Sequence, residues 1–148
     1  MKIKIISVSD SDKHFKTAVE EYCKRLWKDV EIIDIKPEKN GSREQIITKE
    51  TEKIIEKLTN LKDNYTILLA KEWKQPTTEE FTTLIEKHNS LTMIIGGPYG
   101  VDISLLKPHI NYSLAFGSMT MPHGLAKLVL LEQIYRAKTI IEWREYHY

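Results

Sequence analysis

The chain has 148 residues, a size typical of one domain, and its composition (41% hydrophobic, 29% charged, net charge +1) is that of a globular protein. The near-neutral charge is not typical of a protein held on nucleic acid mainly by a general basic surface, although a local basic patch can still serve RNA. Apolar runs of four to five residues are too short for a membrane span, and the N-terminus lacks the apolar segment of a secretory signal, so we expect a cytoplasmic protein.

Hydrophobic periodicity predicts five strands that alternate with five helices. The strands are expected at residues 2–8, 30–35, 65–70, 91–95 and 112–116. The helices are expected at about 12–27, 42–60, from 76 onward, 103–106 and 125–141. This alternation predicts one α/β domain over residues 1–148, with a mostly parallel sheet of five to six strands and helices on both faces.

Two helix starts carry recognisable signals. Residues 9–12 form a predicted turn with candidate N-caps for the first helix. Ser42 and Gln45 have the spacing of a capping box, which predicts the start of the second helix.

The last helix, residues 125–141, is apolar on more than one side. Such a helix needs two packing partners, one of which is the sheet. The other partner is either a second copy of the chain or the interior of the same subunit. We favour a homodimer, because twofold dimers are the commonest oligomers and the chain is short.

Two glycine-rich segments, residues 96–100 and 117–123, directly follow predicted strands. In an open parallel sheet such exits lie at the carboxyl edge, where ligands bind, so they predict a small-molecule site. They fit neither the dinucleotide fingerprint nor the phosphate loop. The structural alternatives are a tight strand-to-helix turn at 96–100, and a helix start in which Thr120 is the cap and Pro122 lies in the first turn.

Metal binding is not expected. Cys23 is the only cysteine, so neither an internal disulfide nor a cysteine-based metal site can form, and the five histidines are scattered. Cys23 itself fits a small buried residue on the first helix.

An ordered set of motifs covers the C-terminal third of the chain. It comprises residues 95–100 (Ile-Gly-Gly-Pro-Tyr-Gly), 118–123 (Ser-Met-Thr-Met-Pro-His), 131–137 (Leu-Glu-Gln-Ile-Tyr-Arg-Ala) and the Tyr-His pair at 146–147. The set resembles the large-subunit ribosomal RNA pseudouridine N3-methyltransferases of the SPOUT superfamily. Segments 20–26 and 49–54 extend the resemblance toward the N-terminus.

The resemblance implies a trefoil knot in the C-terminal segment, S-adenosylmethionine as the cofactor and a pseudouridine in a stem-loop of 23S ribosomal RNA, within the ribosome, as the substrate. It also implies a homodimer in which the partner's C-terminal tail completes each active site. The expected cofactor-binding residues are Leu69, Gly96, Gly97, Gly100, Phe116, Gly117, Ser118, Met119, Thr120 and Met121.

The same resemblance assigns catalytic roles to four residues near the end of the chain. Arg136 would stabilise negative charge on the base, and His147 would accept a proton or orient the base. Tyr146 would stack on the flipped nucleotide or hydrogen-bond to it, and His123 would be a positioning residue. From the residues alone, two plainer interpretations stay open: Arg136 pairs with Glu132 one turn earlier, and the tail is frayed.

Two other functions stay open. The chain departs from the family pattern near the expected cofactor and RNA contacts, at Ser9, Trp73, Gly124, Lys127, Trp143 and Tyr148. These departures fit a knotted RNA- or ribosome-binding protein with weak or no catalysis. A flavodoxin-like nucleotide-binding domain fits only the generic α/β order.

Overall fold

Strands and helices alternate throughout residues 1–9 and 13–148, the part of the chain that the computed structural model describes. The strands are β1 (Lys2–Val8), β2 (Val30–Ile35), β3 (Tyr65–Lys74), β4 (Ser90–Ile95) and β5 (Tyr112–Leu114). The helices are α1 (Lys16–Arg25), α2 (Arg43–Thr59), α3 (Thr78–Glu86), α4 (Ile103–Leu106), followed by a 3₁₀ turn at Lys107–His109, and α5 (His123–Ile141). The predicted turn covers residues 9–12, and residues 10–12 of it lie outside the part of the chain that the structure describes.

All five described strands form one parallel sheet in the order β2-β1-β4-β3-β5. Because the strands are parallel, their carboxyl ends share one edge of the sheet. The prediction of an α/β domain with a parallel sheet is confirmed. The knot stays a prediction.

Helices cover both faces of the sheet, as predicted, and each face has its own core. Ile3 and Ile5 of β1 pack in a cluster with α1, α3 and α5, whereas Ile6 and Val8 pack in a second cluster with α2 and α4. This alternation follows from the two-residue period of a strand. No helix in the described ranges is both long and apolar enough to cross a membrane.

The strand boundaries differ from the prediction where β3 meets β5. β3 continues to Lys74, and its pairing with β5 is irregular between Leu69 and Lys74. The amide of Ala115 donates to the carbonyl of Lys74 over 2.8 Å just past the end of β5. β3 thus gains residues 71–74, most of them charged, which apolar periodicity does not mark as strand.

The capping box at Ser42 is confirmed: its hydroxyl accepts from the amide of Gln45, whose side chain accepts from the amide of Ser42.

The start of α5 differs from the predicted helix start with Thr120 as the cap and Pro122 in the first turn. Pro122 is the N-cap, without a side-chain hydrogen bond, and Thr120 instead accepts from Lys71 Nζ over 3.3 Å. Thr120 as the cap is thus wrong, because the cap position falls at Pro122, two residues beyond it.

Within a single chain, α5 packs against both α1 and α3 as well as the sheet. All of its residues are at least partly buried. Lys127, buried on this helix, donates to Ser9 Oγ over 3.2 Å and to Asp34 Oδ1 over 3.0 Å, which ties α5 to the ends of β1 and β2. Neighbours within the subunit thus explain much of the apolar pattern that suggested a dimer.

Candidate functional site

A cavity of about 560 Å³ lies at the carboxyl ends of β3, β4 and β5, the edge predicted for a ligand. It gathers three separated segments: the end of β3, the turn after β4 and the loop before α5. Nine of the ten predicted cofactor residues line it, together with His123. They are Leu69, Gly96, Gly97, Gly100, Phe116, Gly117, Met119, Thr120 and Met121. Ser118 does not line it.

The turn after β4 is closed by its own backbone. The amide of Gly100 donates to the carbonyl of Gly97 over 2.9 Å. Gly100 has φ +84°, a conformation that side-chain-bearing residues adopt rarely. A Cβ on Gly96 would approach Val101 Cγ1 to 2.9 Å, so only glycine fits here without moving the Val101 side chain.

The loop before α5 forms another part of the cavity wall. A Cβ added to Gly117 would meet no protein atom within 4 Å, so this glycine leaves space in the cavity rather than avoiding a neighbour. Met119 is strongly exposed beside it, at 83% of its surface. This wall therefore presents backbone and flexible side chains to a ligand.

Sequence reasoning missed several residues at the mouth of the cavity. The guanidinium of Arg43 lies 4.9 Å from the centre of the half-exposed Tyr99 ring, and both line the cavity. Lys71 and Trp73 line it through the extension of β3. Of these residues, Tyr99 lies in a motif that the sequence analysis named, and Trp73 is one of the named departures from the family pattern. Arg43 begins α2, far away in the sequence, and no motif marks it as a site residue.

The other three predicted catalytic residues form a separate cluster near the chain terminus, with Glu132 at its centre. Glu132 Oε1 accepts from Arg136 Nε over 3.0 Å and from the Tyr146 hydroxyl over 3.2 Å. We call Glu132, Arg136, Tyr146 and His147 the tail cluster. The pairing of Arg136 with Glu132, anticipated as the plainer interpretation, is present, and it raises the pKa of Arg136. The tail is attached to α5 rather than frayed.

The hydrogen bonds of His147 fix its tautomer. Arg136 Nη1 lies 3.2 Å from His147 Nδ1, and because a guanidinium can only donate, Nδ1 must be the acceptor. His147 Nε2 then carries the proton and donates to Glu79 Oε1 over 3.2 Å. Arg136 thus occupies the accepting nitrogen of His147 in this arrangement.

Aromatic contacts anchor Tyr146. Its ring packs edge-on against Tyr135, with centres 4.8 Å apart, and its hydroxyl lies 3.1 Å from that of Tyr22. Burial, followed by the hydrogen bond with Tyr22, raises the pKa of Tyr146 well above the usual range of a phenol. Tyr146 is therefore a neutral hydrogen-bond donor at any physiological pH.

The cavity and the tail cluster lie at different places along α5. His123 begins the helix at the cavity, and Arg136 follows thirteen residues later. At about 1.5 Å per residue, this separates the two by roughly 20 Å along the helix axis. One chain thus gathers the predicted cofactor residues with His123, but does not bring Arg136, Tyr146 and His147 to them.

Comparison with known proteins agrees with this geometry. A family model described as "Predicted SPOUT methyltransferase" matches residues 1–147. The chain belongs to the SPOUT methyltransferase family. It is 38% identical to the ribosomal RNA large subunit methyltransferase H of Streptococcus suis (strain 05ZYH33). It is 37% identical to the proteins of that name from Limosilactobacillus reuteri (strain DSM 20016) and Bacillus thuringiensis (strain Al Hakam). Each alignment covers 99% of both chains.

The cavity suits the S-adenosylmethionine that SPOUT methyltransferases use in general. Its volume of about 560 Å³ falls in the range of pockets for ligands of this size. The space at Gly117 is unoccupied by any protein atom, and backbone from two glycine-containing segments faces it. In residues 1–9 and 13–148, no three His, Cys, Asp or Glu side chains are grouped to hold a metal ion.

Proposed function

We propose that this protein methylates N3 of a pseudouridine in a stem-loop of 23S ribosomal RNA, on the assembled ribosome, with S-adenosylmethionine as the methyl donor. The main support is the identity of 37–38%, over 99% of both chains, to proteins named ribosomal RNA large subunit methyltransferase H. The cavity at the predicted sheet edge and the tail cluster are the parts of the chain that would carry out the reaction.

The cavity residues bind and orient the donor. S-adenosylmethionine supplies an electrophilic methyl group on a positively charged sulfur. The turn at residues 96–100 and the loop at 116–121 offer backbone amides and carbonyls to an adenosine and its ribose. Leu69, where the pairing of β3 with β5 becomes irregular, and Phe116 provide apolar contact. Methyl transfer is an in-line displacement, so this positioning accounts for much of the acceleration.

The tail cluster acts on the base. The N3 position must lose a proton before it attacks, and Arg136 stabilises the negative charge that develops there. Glu132 and His147 hold the guanidinium of Arg136 in place. His147 orients the base or accepts its proton; acceptance at Nδ1 requires Arg136 to leave that nitrogen first. Tyr146 offers a neutral hydroxyl or its ring face to the nucleotide, and His123 positions substrate from the cavity side.

The distance between the two regions supports a homodimer as the active form. About 20 Å of helix separates His123 from Arg136 within one chain, too far for both to act on one base. In a twofold dimer, the tail cluster of one protomer can face the cavity of its partner. Each active site would then contain residues from both protomers.

Reconstituted methylation tests the proposal directly. Ribosomes from cells that lack the protein are incubated with it and with isotope-labelled S-adenosylmethionine, and nucleosides from 23S RNA are analysed by mass spectrometry. We expect labelled 3-methylpseudouridine. Calorimetry that detects no binding of S-adenosylmethionine would reject the enzyme. Binding without methyl transfer to ribosomes would instead favour the catalytically inactive ribosome-binding protein.

A further inference from the structure

Glu50, on α2, is a buried carboxyl group that the proposed reaction does not use. Only 1% of the residue is exposed. Its Oε2 accepts from the amide of Glu38 over 3.0 Å, but its Oε1 is buried and has no hydrogen-bond partner. Leaving a buried polar atom unpaired destabilises a fold, so this placement calls for an explanation.

The carboxyl of Glu50 lies directly against Gly97 of the turn that lines the cavity. A Cβ added to Gly97 would clash with Glu50 Oε1 and lie 3.1 Å from Glu50 Cδ. Gly97 does not have a positive φ, so backbone conformation does not require glycine here. Glycine is needed because the carboxyl occupies the space of a side chain.

The residue after Glu50 holds the other end of the same turn. Thr51, fully buried, accepts from the amide of Asp102 over 2.9 Å and donates its own proton to the carbonyl of Ile47. Two successive residues of α2 thus contact the segment 97–102 on both sides of Gly100. Helix α2 thus supports this turn through two residues that do not line the cavity.

We propose that Glu50 is a positioning residue for cofactor binding. Its carboxyl fixes the position of the Gly97 backbone in the wall of the cavity. This inference rests on the proposed function, because the turn at 96–100 is taken to bind S-adenosylmethionine. The carboxyl acts through its contact with Gly97 and does not touch the cofactor. Its Oε2 bond to the amide of Glu38 also links the loop before α2 to the same wall.

A double-mutant cycle tests this contact. Binding of S-adenosylmethionine is measured by calorimetry for wild type, Gly97→Ala, Glu50→Ala and the double variant. We expect Gly97→Ala to weaken binding at least tenfold, because the new methyl pushes the turn away from Glu50. Glu50→Ala should also weaken binding, about tenfold. In the double variant the methyl takes the vacated space, so binding should recover relative to Gly97→Ala.

Three controls separate positioning from loss of folding. Glu52→Ala, on the exposed side of the same helix, should leave binding unchanged. Glu50→Gln keeps the volume and should bind within about threefold of wild type, yet it should not rescue Gly97→Ala. In steady-state assays Glu50→Ala should raise the KM for the cofactor while leaving kcat and the KM for ribosomes nearly unchanged. Thermal melts of all four proteins show where each is folded, and binding is compared there, so that recovery in the double variant reports the contact and not stability.

The possible failures are distinguishable. If wild type binds the cofactor and Glu50→Ala binds it equally well, or if the two single effects simply add, the role of Glu50 is wrong and the proposed function stands. If wild type binds no S-adenosylmethionine, the proposed function and this inference both fall.

Discussion

The cavity and the tail cluster are built in opposite ways. The cavity wall consists largely of turns, in which glycines give space to a ligand, to Val101 or to Glu50. The tail cluster consists of charged and aromatic side chains joined by hydrogen bonds around Glu132. We therefore expect activity to be lost in different ways: in the cavity through substitutions that add atoms, and in the tail cluster through substitutions that remove them.

The largest expected effect is the loss of Arg136. Arg136→Ala removes the only positive charge of the tail cluster, and we expect methyl transfer to fall by about 10²–10³-fold, as when a group that stabilises transition-state charge is deleted. Cofactor affinity should stay within about twofold, since Arg136 does not line the cavity of its own chain and its proposed role is toward the base, not the cofactor. Single-turnover transfer and calorimetry measure the two quantities. Arg144→Ala removes a neighbouring exposed arginine and should have little effect; equal losses in both variants would contradict the assignment.

A mixed dimer tests whether the two regions meet across a subunit interface. Gly117→Leu fills the cavity of one protomer and Arg136→Ala inactivates the tail cluster of the other. If sites form between protomers, a heterodimer has one intact site, so an equal mixture should regain about a quarter of wild-type activity after subunit exchange. Each variant alone should be nearly inactive. A mixture that stays inactive after mass spectrometry shows exchange would place both regions of a site in one chain.

A smaller effect is expected from one methyl group at Gly117. Gly117→Ala adds a Cβ that touches no protein atom, so the melting temperature should stay within about 1–2 °C of wild type. If the cofactor occupies that space, its affinity should fall roughly tenfold. Gly100→Ala is the matched comparison: there the added Cβ also has open space, but φ +84° makes it strained, so stability should fall as well. Unchanged cofactor binding by Gly117→Ala would put the ligand elsewhere.

The sequence predicted the cavity better than it predicted the complete site. Strand ends with glycine exits meet at one edge whenever the sheet is parallel, so local signals at 91–100 and 112–121 sufficed to locate the cavity. Arg43 and Glu50 reach the same place from α2 through tertiary packing, which no local pattern encodes. Glycines also look alike in a sequence: Gly97 makes room for a carboxyl, Gly100 adopts positive φ and Gly117 leaves a void. Hydrophobic periodicity could not place the tail cluster either, because polar contacts hold residues 146–147 to α5 and α3.

The smallest expected effect concerns the stability cost of the Glu50 carboxyl. Burial raises the pKa of Glu50, with Glu38 and Lys53 as the charged groups beside it. The folded protein therefore keeps the proton to a higher pH than the unfolded chain, in which the carboxyl titrates at about pH 4–5. The free energy of unfolding consequently falls as pH rises from the unfolded pKa through the raised folded pKa.

Glu50→Gln cannot titrate, so it removes this loss while keeping the volume of the side chain. Its melting temperature relative to wild type should rise between pH 4 and pH 7, by on the order of 2–4 °C. Glu52 is exposed on the same helix, so the melting temperature of Glu52→Gln relative to wild type should be nearly independent of pH. Calorimetric melts at several pH values measure both. A constant difference for Glu50→Gln would mean that folding leaves the pKa of this carboxyl unchanged, and burial against Gly97 would then carry no pH-dependent cost in stability.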